Sequence, residues 1–364
     1  MKKHILFQPI LINTKLVEGL YAGCRDFDLM LSIAHPGMIN RPDLHSFDGL
    51  LSTKLNYVDE IRSHGGKAVC YSMQTGDMAR AQFDATVACD EVAICRIGAT
   101  HFLQKGYENF ACSLDTIRKQ AFIETLHHAG RDQIHAFPIS AQHPGTQEMR
   151  VEFLRSLPKP CAFLVQTINF GEFWYEAVKQ AGIRMPEELA VLGIDDIEYI
   201  CNLLEPSVSS IDTNDFEHGY RMCEILAKLL NGEPVEPVTL IAPQERVIER
   251  ASTDFYAVKD EKLRQMIHFA RNHITEGLGV RTLADRFALT MPMVYQLFEK
   301  HLRISPKRFL VELQLRHAEK LLKRGNMKMS DIAEESGFAT LKSFYDFFHK
   351  YHNTTPKEWC YRIR

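Results

Sequence analysis

Two adjacent carboxylates, Asp195 and Asp196, follow the apolar run Ala190 to Ile194, whose length and composition predict a buried strand. In an open α/β sheet, ligands bind outside the carboxyl ends of the strands. One of these acids can therefore face a crevice while the other caps the next helix. Arg118 stands near the start of a predicted helix, ahead of the stripe Ala121, Phe122, Thr125 and Leu126 and after the strand Phe110 to Ser113. A guanidinium there can reach the same crevice. Guanidinium and carboxylate together offer donors and acceptors suited to the vicinal hydroxyls of a sugar. They do not make a nucleophile and base pair, and no G-x-G-x-x-G, P-loop, H-E-x-x-H or G-x-S-x-G occurs. Binding rather than catalysis is the chemistry expected, with no cofactor. Among the 16 histidines, His127 and His128 are adjacent on a predicted helix and so diverge by about 100°; no metal site is expected.

A second set of side chains lies near the C-terminus, on short helices that project them. Val280, Leu283, Ala284 and Phe287 make an i, i+3, i+4, i+7 stripe, and after a break Val294, Leu297 and Phe298 form the inner face of a second helix. Thr290 is placed to cap that helix, and Met291, Met293, Tyr295, Gln296 and Lys300 fall on its outer side. The pattern returns with Ile332 and Ala333, a stop at Gly337 and a cap at Thr340; Phe344, Phe347, Phe348 and Tyr351 then face inward. Leu341, Lys342, Ser343, Asp346 and Lys350 face out. Between the pairs runs a helix from Ser305-Pro306 to about Lys323, roughly 27 Å long at 1.5 Å per residue. That length sets the projecting helices about one turn of B-DNA apart, on the order of 34 Å, as two successive major grooves require. Thr355 to Glu358 reads as a capping box that closes the second unit.

These two sets sit in differently built halves. From His4 to about Phe255, strand-length runs alternate with amphipathic helices, which predicts parallel sheets covered on both faces. The number of strands, about ten, favours two lobes over one sheet. The chain is expected to cross between lobes near Cys89-Asp90 and Ser207 to Ser210, with a strand near Val238 to Ala242 returning to the second lobe. The domains are thus 1–255, an α/β bilobal domain of two doubly wound parallel sheets, and 256–364, an all-α domain. From Tyr256 onward there are 20 lysines and arginines against 12 acids, while the part before it is acidic. A basic segment on an acidic body suits a part that meets phosphate joined to one that does not. Nine cysteines without a C-x-x-C pair read as reduced core residues. The N-terminal apolar run is too short to span a membrane and lacks a cleavage site, so a cytoplasmic protein with no membrane partner is expected.

The all-α segment resembles the AraC/XylS-type DNA-binding domain, in which two helix-turn-helix units share one linker helix. The resemblance is carried by IAEESGF (332–338), SFYDFFHKYHNTTPKEW (343–359) and SPKRFLVELQLRHAEKLL (305–322). It departs from that pattern where an Arg or Lys is common, at Gln296 and Asp346. Asp346 would repel phosphate unless it accepts from a cytosine amino group.

The first half resembles the periplasmic-binding-protein-like effector domain of LacI/GalR-type regulators. The carriers are Asp90 with Gly98-Ala-Thr-His101, the stretch Gly182 to Asp196, Ser209 to Asp212 and Val247 to Ser252. That resemblance implies ligand contacts from Arg118 and Asp195. An Asp usual near position 168 is missing, and Asn169 offers an amide instead; Phe170 and Trp174 can supply a stacking face, although at helical spacing with Phe173 such residues more often belong to a core. An effector domain of this type ahead of an AraC-type domain is the arrangement of xylose-responsive activators. It implies a sequence-specific transcription regulator, a small sugar effector such as a pentose, double-stranded DNA and RNA polymerase as partners, and a homodimer. Two rival readings are a regulator whose pocket has decayed and which works by protein contacts, and a sugar-modifying enzyme fused to a DNA-binding domain.

Overall fold

A computed structural model of the chain describes residues 2–9, 13–34, 42–52, 57–72, 82–138, 145–325 and 327–363. The chain divides into two compact units, Met1–His101 with Glu108–Phe255, and Phe102–Tyr107 with Tyr256–Arg364.

The first unit holds two six-stranded sheets. In chain order its elements begin β1 (Lys3–Gln8), α1 (Thr14–Asp26), β2 (Leu29–Ile33), β3 (Gly49–Ser52), α2 (Val58–Ser63), β4 (Lys67–Ser72), β5 (Ala85–Cys89) and α3 (Glu91–Gln104). There follow β6 (Asn109–Ser113), α4 (Thr116–His128), β7 (Ile134–Ala136), α5 (Gln147–Ser156), β8 (Cys161–Gln166) and α6 (Thr167–Asn169). A π-helical turn, Phe170–Trp174, leads into α7 (Tyr175–Ala181), then β9 (Leu189–Ile194), α8 (Glu198–Leu203), β10 (Ser209–Ile211), α9 (Asp215–Leu230), β11 (Val238–Ile241) and β12 (Val247–Ile248). The first sheet runs β11-β5-β4-β3-β1-β2 and the second β12-β10-β9-β8-β6-β7. All pairings are parallel except β12 against β10. Strands buried on both faces need unbroken apolar runs, and β5 and β9 are buried at every position.

Three departures from the sequence reading have physical reasons. β11 returns to the first sheet beside β5, not to the second lobe; its register sets Val238 against Thr86 and Ile241 against Cys89. The second crossing comes after Ile211, since β10 still pairs with β9. The helical segment that the pattern of Glu172 to Ala181 predicts begins earlier, as α6 and the π-helical turn. The pattern of Leu55 to His64 also predicts a helix, of which Val58–Ser63 is seen as α2; residues 53–56 lie outside the described residues.

α1 lies against α9 with glycines at the contact. A Cβ on Gly19 would stand 2.0 Å from the Phe216 carbonyl oxygen, and one on Gly219 would stand 2.2 Å from that of Leu16. No other residue type allows so close a backbone approach.

The second unit is helical: α10 (Glu261–Asn272), α11 (Val280–Arg286), α12 (Met291–Leu302), α13 (Pro306–Arg324), α14 (Met329–Glu335), α15 (Leu341–His352) and α16 (Pro356–Ile363). The long α13 serves two cores. Phe309, Leu310 and Leu313 pack with α10, α11 and α12, while Val311, Leu315, Ala318, Leu321 and Leu322 pack with α14, α15 and α16. α10, not anticipated from the sequence, supplies Leu263, Met266, Ile267 and Ala270 to the first core. Gly337, at φ +77°, ends the turn after α14; a Cβ there would meet the Ile274 carbonyl oxygen at 2.1 Å. The Gly337 carbonyl also accepts a 2.6 Å hydrogen bond from buried Gln314 in the middle of α13.

Candidate functional site

In the first unit the polar residues gather where parallel strands end. β6 ends in Ser113, and the next turn leads to Asp115, which caps α4 by accepting from the Arg118 backbone N–H at 3.1 Å. That cap starts the helix so that Arg118 falls in its first turn, fully buried. Its guanidinium makes a fork with Glu91, the first residue of α3, through Nε at 2.5 Å and Nη2 at 3.2 Å. Asp195, just past β9, has φ +81°, a strained backbone for a residue with a side chain. Its Oδ1 lies 3.8 Å from Arg118 Nη2. Arg118 Nη1, Asp195 Oδ1 and Ser113 Oγ are buried with no hydrogen-bond partner among the described residues. Buried polar atoms left unpaired cost about 1 to 3 kcal/mol each, which makes these three candidates for contact with a polar ligand.

The other lobe brings its own carboxyl. Asp215, at the start of α9, accepts from Asn13 Nδ2, from Thr213 Oγ1 at 3.1 Å and from the Tyr71 hydroxyl at 3.4 Å. Burial pushes its carboxyl up to about 7, with the Asp195 charge adding to the shift. Burial likewise pushes Glu91 up to about 7 against the pull of Arg118, and raises Asp195 above the usual carboxylate range. Burial drives His218 the other way, down to about 4, because there the cation is the form that loses hydration.

Asp196 does not cap the next helix as the sequence suggested. The cap position of α8 is Ile197, which makes no side-chain cap bond. Asp196 instead accepts from Lys15 Nζ at 2.9 Å and Arg250 Nη1 at 3.0 Å. Lys15, on α1, also reaches Asp212 at 3.1 Å. These pairs tie the first lobe to the strand ends of the second.

The structure therefore brings Arg118 and Asp195 together, as expected, and adds Glu91, Ser113 and Asp215, which the sequence reading missed. The crossover at Cys89-Asp90 was the available signal for Glu91, since it begins the next helix. Asn169 uses its amide on Gln166 Oε1 at 2.8 Å within its own loop. Phe170 is a correction: it is fully buried in the second-lobe core and meets Tyr175 edge to face, so it presents no stacking surface.

In the second unit, α12 and α15 carry the projecting residues. Met291, Met293, Tyr295, Gln296 and Lys300 are exposed on α12, and Val294, Phe298 and Leu302 are buried beneath them. Thr290 occupies the cap position, but its side chain makes no capping bond. On α15, Leu341, Lys342, Asp346 and Lys350 are exposed over buried Phe344 and Phe348. Thr340 and Ser343 form a reciprocal capping box. Thr355 and Glu358 do the same for α16, at 3.0 and 3.2 Å. Large apolar groups also face water on these two helices: Met291 is 42 %, Met293 46 % and Leu341 43 % exposed. Among the described residues no group of three or more His, Cys, Asp or Glu could hold a metal ion, and no helix is long and apolar enough to cross a membrane.

Residues 99–253 match a periplasmic binding protein-like domain, and residues 283–362 match a helix-turn-helix domain. The xylose operon regulatory protein of Haemophilus influenzae is 27% identical over 285 residues, 75% of this chain and 74% of that protein. Its Escherichia coli K12 counterpart is 26% identical over 287 residues, 75% and 73% of the two chains. Among solved structures, a xylose-binding transcription activator superposes with a TM-score of 0.59 at 22% identity, covering 99% of this chain and 98% of that one. A LacI family regulator from Enterococcus faecium with bound ribose superposes with a TM-score of 0.55 at 17% identity, over 71% of this chain and all (100%) of its own. The order of the two matched domains and the full-length superposition agree with the two-lobed and helical architecture described above.

Proposed function

We propose that this chain, a periplasmic binding protein-like domain followed by a helix-turn-helix domain and homologous to xylose operon regulatory proteins, is a transcription regulator whose affinity for DNA is set by a small neutral sugar. The observation that carries the effector reading is the set of orphaned polar atoms on Arg118, Asp195 and Ser113 at the strand ends. An aldopentose such as xylose supplies hydroxyls that both donate and accept, which suits one guanidinium N–H, one carboxylate oxygen and one hydroxyl. Sugar acids and phosphates fit poorly. Glu91 already occupies one side of the Arg118 guanidinium, and Asp195 and Asp215 place two more carboxyls near it, so a second anion finds few free donors. Asn169 is proposed to tune which sugar is preferred.

The reading of DNA rests on α12 and α15, with Gln296 placed for an adenine edge and Lys300, Lys342 and Lys350 for phosphates. A homodimer is part of the proposal, with α1 and α2 as the facing helices; Tyr21 on α1 is 72 % exposed. Activation through RNA polymerase and action in the cytoplasm complete it.

The test is a thermal-shift screen of the full chain against pentoses, hexoses, their acids and their phosphates, followed by mobility shift on DNA selected from a random pool. A sugar at 100 times its dissociation constant adds about 2.7 kcal/mol to stability. A neutral pentose is expected to raise the unfolding midpoint and to alter DNA affinity. If no sugar does so, the regulator with a decayed pocket gains. A sugar recovered chemically changed would favour the enzyme.

A further inference from the structure

We propose that Cys24 and Cys223 are a modification site, a reversible disulfide formed by oxidants of the peroxide class that staples α1 to α9. The two sulfurs stand 3.7 Å apart although 199 residues separate them in sequence. Their helices touch through backbone: besides Gly19 and Gly219, a Cβ on Gly23 would lie 2.6 Å from the Cys223 Cβ. Such a contact fixes the spacing of the two thiols, since the helices cannot part or slide without opening the first-lobe core that Cys24, Leu16, Leu20, Met222 and Cys223 share. Bond formation needs the sulfurs to close from 3.7 Å to about 2.05 Å.

The two thiols are unequal. Cys24 retains 6% exposure and Cys223 has none, so a small oxidant reaches Cys24 first. The hydrogen bond shared with Cys223 holds the Cys24 thiol below its ordinary range, against the effect of burial. In the first step the Cys24 thiolate attacks a peroxide oxygen. An S–O bond forms, the O–O bond breaks, and hydroxide leaves to become water with one proton. In the second step the buried Cys223 thiol attacks the Cys24 sulfenic sulfur, and its proton passes to the departing hydroxyl. The S–S bond forms, the S–O bond breaks, and a second water leaves. Two thiols and one peroxide give one disulfide and two waters. Asn13 and Lys15, at the start of α1, and Asp215, at the start of α9, all lie among the crevice groups. The staple thus bears on the helices that carry them.

Full-length reduced protein treated with hydrogen peroxide tests this by intact mass, non-reducing peptide mapping and thermal unfolding. The expected product is lighter by about 2 Da, yields a Cys24–Cys223 linked peptide, resists alkylation at both residues and unfolds several degrees higher, all reversed by dithiothreitol. Cys24→Ser and Cys223→Ser should each lose the linked peptide and the shift. Should either variant fail to fold, differential alkylation of the parent decides alone. The proposal is overturned if both residues stay alkylatable after oxidation, if either pairs with another cysteine, or if Cys24 ends as sulfinic acid.

Discussion

The proposed sugar site and the helices proposed to read DNA use charge in opposite settings. Arg118 and Glu91 keep about one-hundredth of their side-chain exposure, and Asp195 keeps 8%. Lys300, Lys342 and Lys350 stand in solvent. A buried ion is held by a few fixed partners, so removing one leaves the rest uncompensated. An exposed ion is screened by salt and contributes in small, nearly independent amounts. Deletions in the crevice should therefore be large and local, and deletions on the helices small and additive.

The sharpest way to break that contrast is Arg118→Ala. It strands Glu91 in a dry site, and loss of one member of a buried pair costs roughly 3 to 5 kcal/mol. A lower unfolding midpoint together with lost sugar response is expected, and a variant as stable as the parent would show that the pair is not desolvated. Asp195→Asn separates binding from folding. It should weaken sugar binding about 10- to 150-fold, the worth of a charge-assisted hydrogen bond. Stability should hold or rise, because Asn tolerates the left-handed backbone at φ +81° and carries no buried charge. Calorimetry beside chemical denaturation measures both.

On the other side, Lys342→Ala and Lys350→Ala should each lower DNA affinity for every sequence and reduce the slope of log affinity against log salt by about 1. Unchanged slopes would place these lysines off the phosphates.

The pH dependence of folding belongs to the crevice. Glu91 and Asp215 have folded-state values of about 7, above their unfolded ones, so the stability they contribute is full below about pH 4 and is lost as pH rises through 7. His218 acts in the opposite sense as pH falls below about 6.5, its unfolded value. Between pH 6.5 and 7.5 the acids dominate, and unliganded protein should lose about 1 kcal/mol. Stability that rises across this window would contradict the burial of those carboxyls.

The smallest effect concerns Met291, Met293 and Leu341. Exposed apolar groups on a reading helix suit the methyl group of thymine. Replacing a contacted thymine by deoxyuridine should cost about 0.8 kcal/mol, the worth of one buried carbon, and Met→Ala at the facing position should remove that cost. Binding indifferent to deoxyuridine throughout a selected site would assign these side chains another role.

The two regions also differed in how far the sequence could be read. α12 and α15 were legible because a helical reading face depends on neighbours three and four residues away. Val294 and Phe298 below, with Met291 and Lys300 above, show the pattern directly. The crevice is assembled from distant parts, and its periodicity names no partners. Asp196 looked like a cap because its true partner, Lys15, lies 181 residues away. β5, Ala-Thr-Val-Ala-Cys, is short and rich in small residues, so its composition does not mark it as a strand. Without it the return of β11 to the first sheet could not be foreseen. Phe170 was ambiguous between stacking face and core until the π-helical turn fixed its direction. Arg118 and Asp195 were found from strand ends and resemblance, whereas Glu91 and Asp215 needed the third dimension.

The knot at Gly337 has a consequence for how DNA is measured. Its carbonyl is held by the centre of α13, and a side chain on it would have no room beside the Ile274 carbonyl. Both contacts oppose independent swivelling of α12 and α15 about the linker helix, so the pair is expected to act as a caliper with fixed jaws. Each base pair turns the double helix by roughly a tenth of a revolution. Inserting a single pair between the two half-sites therefore rotates one of them out of the jaws, and the lost contact cannot be recovered by bending the protein. Spacing becomes part of the recognised sequence, read without touching a single base in the gap.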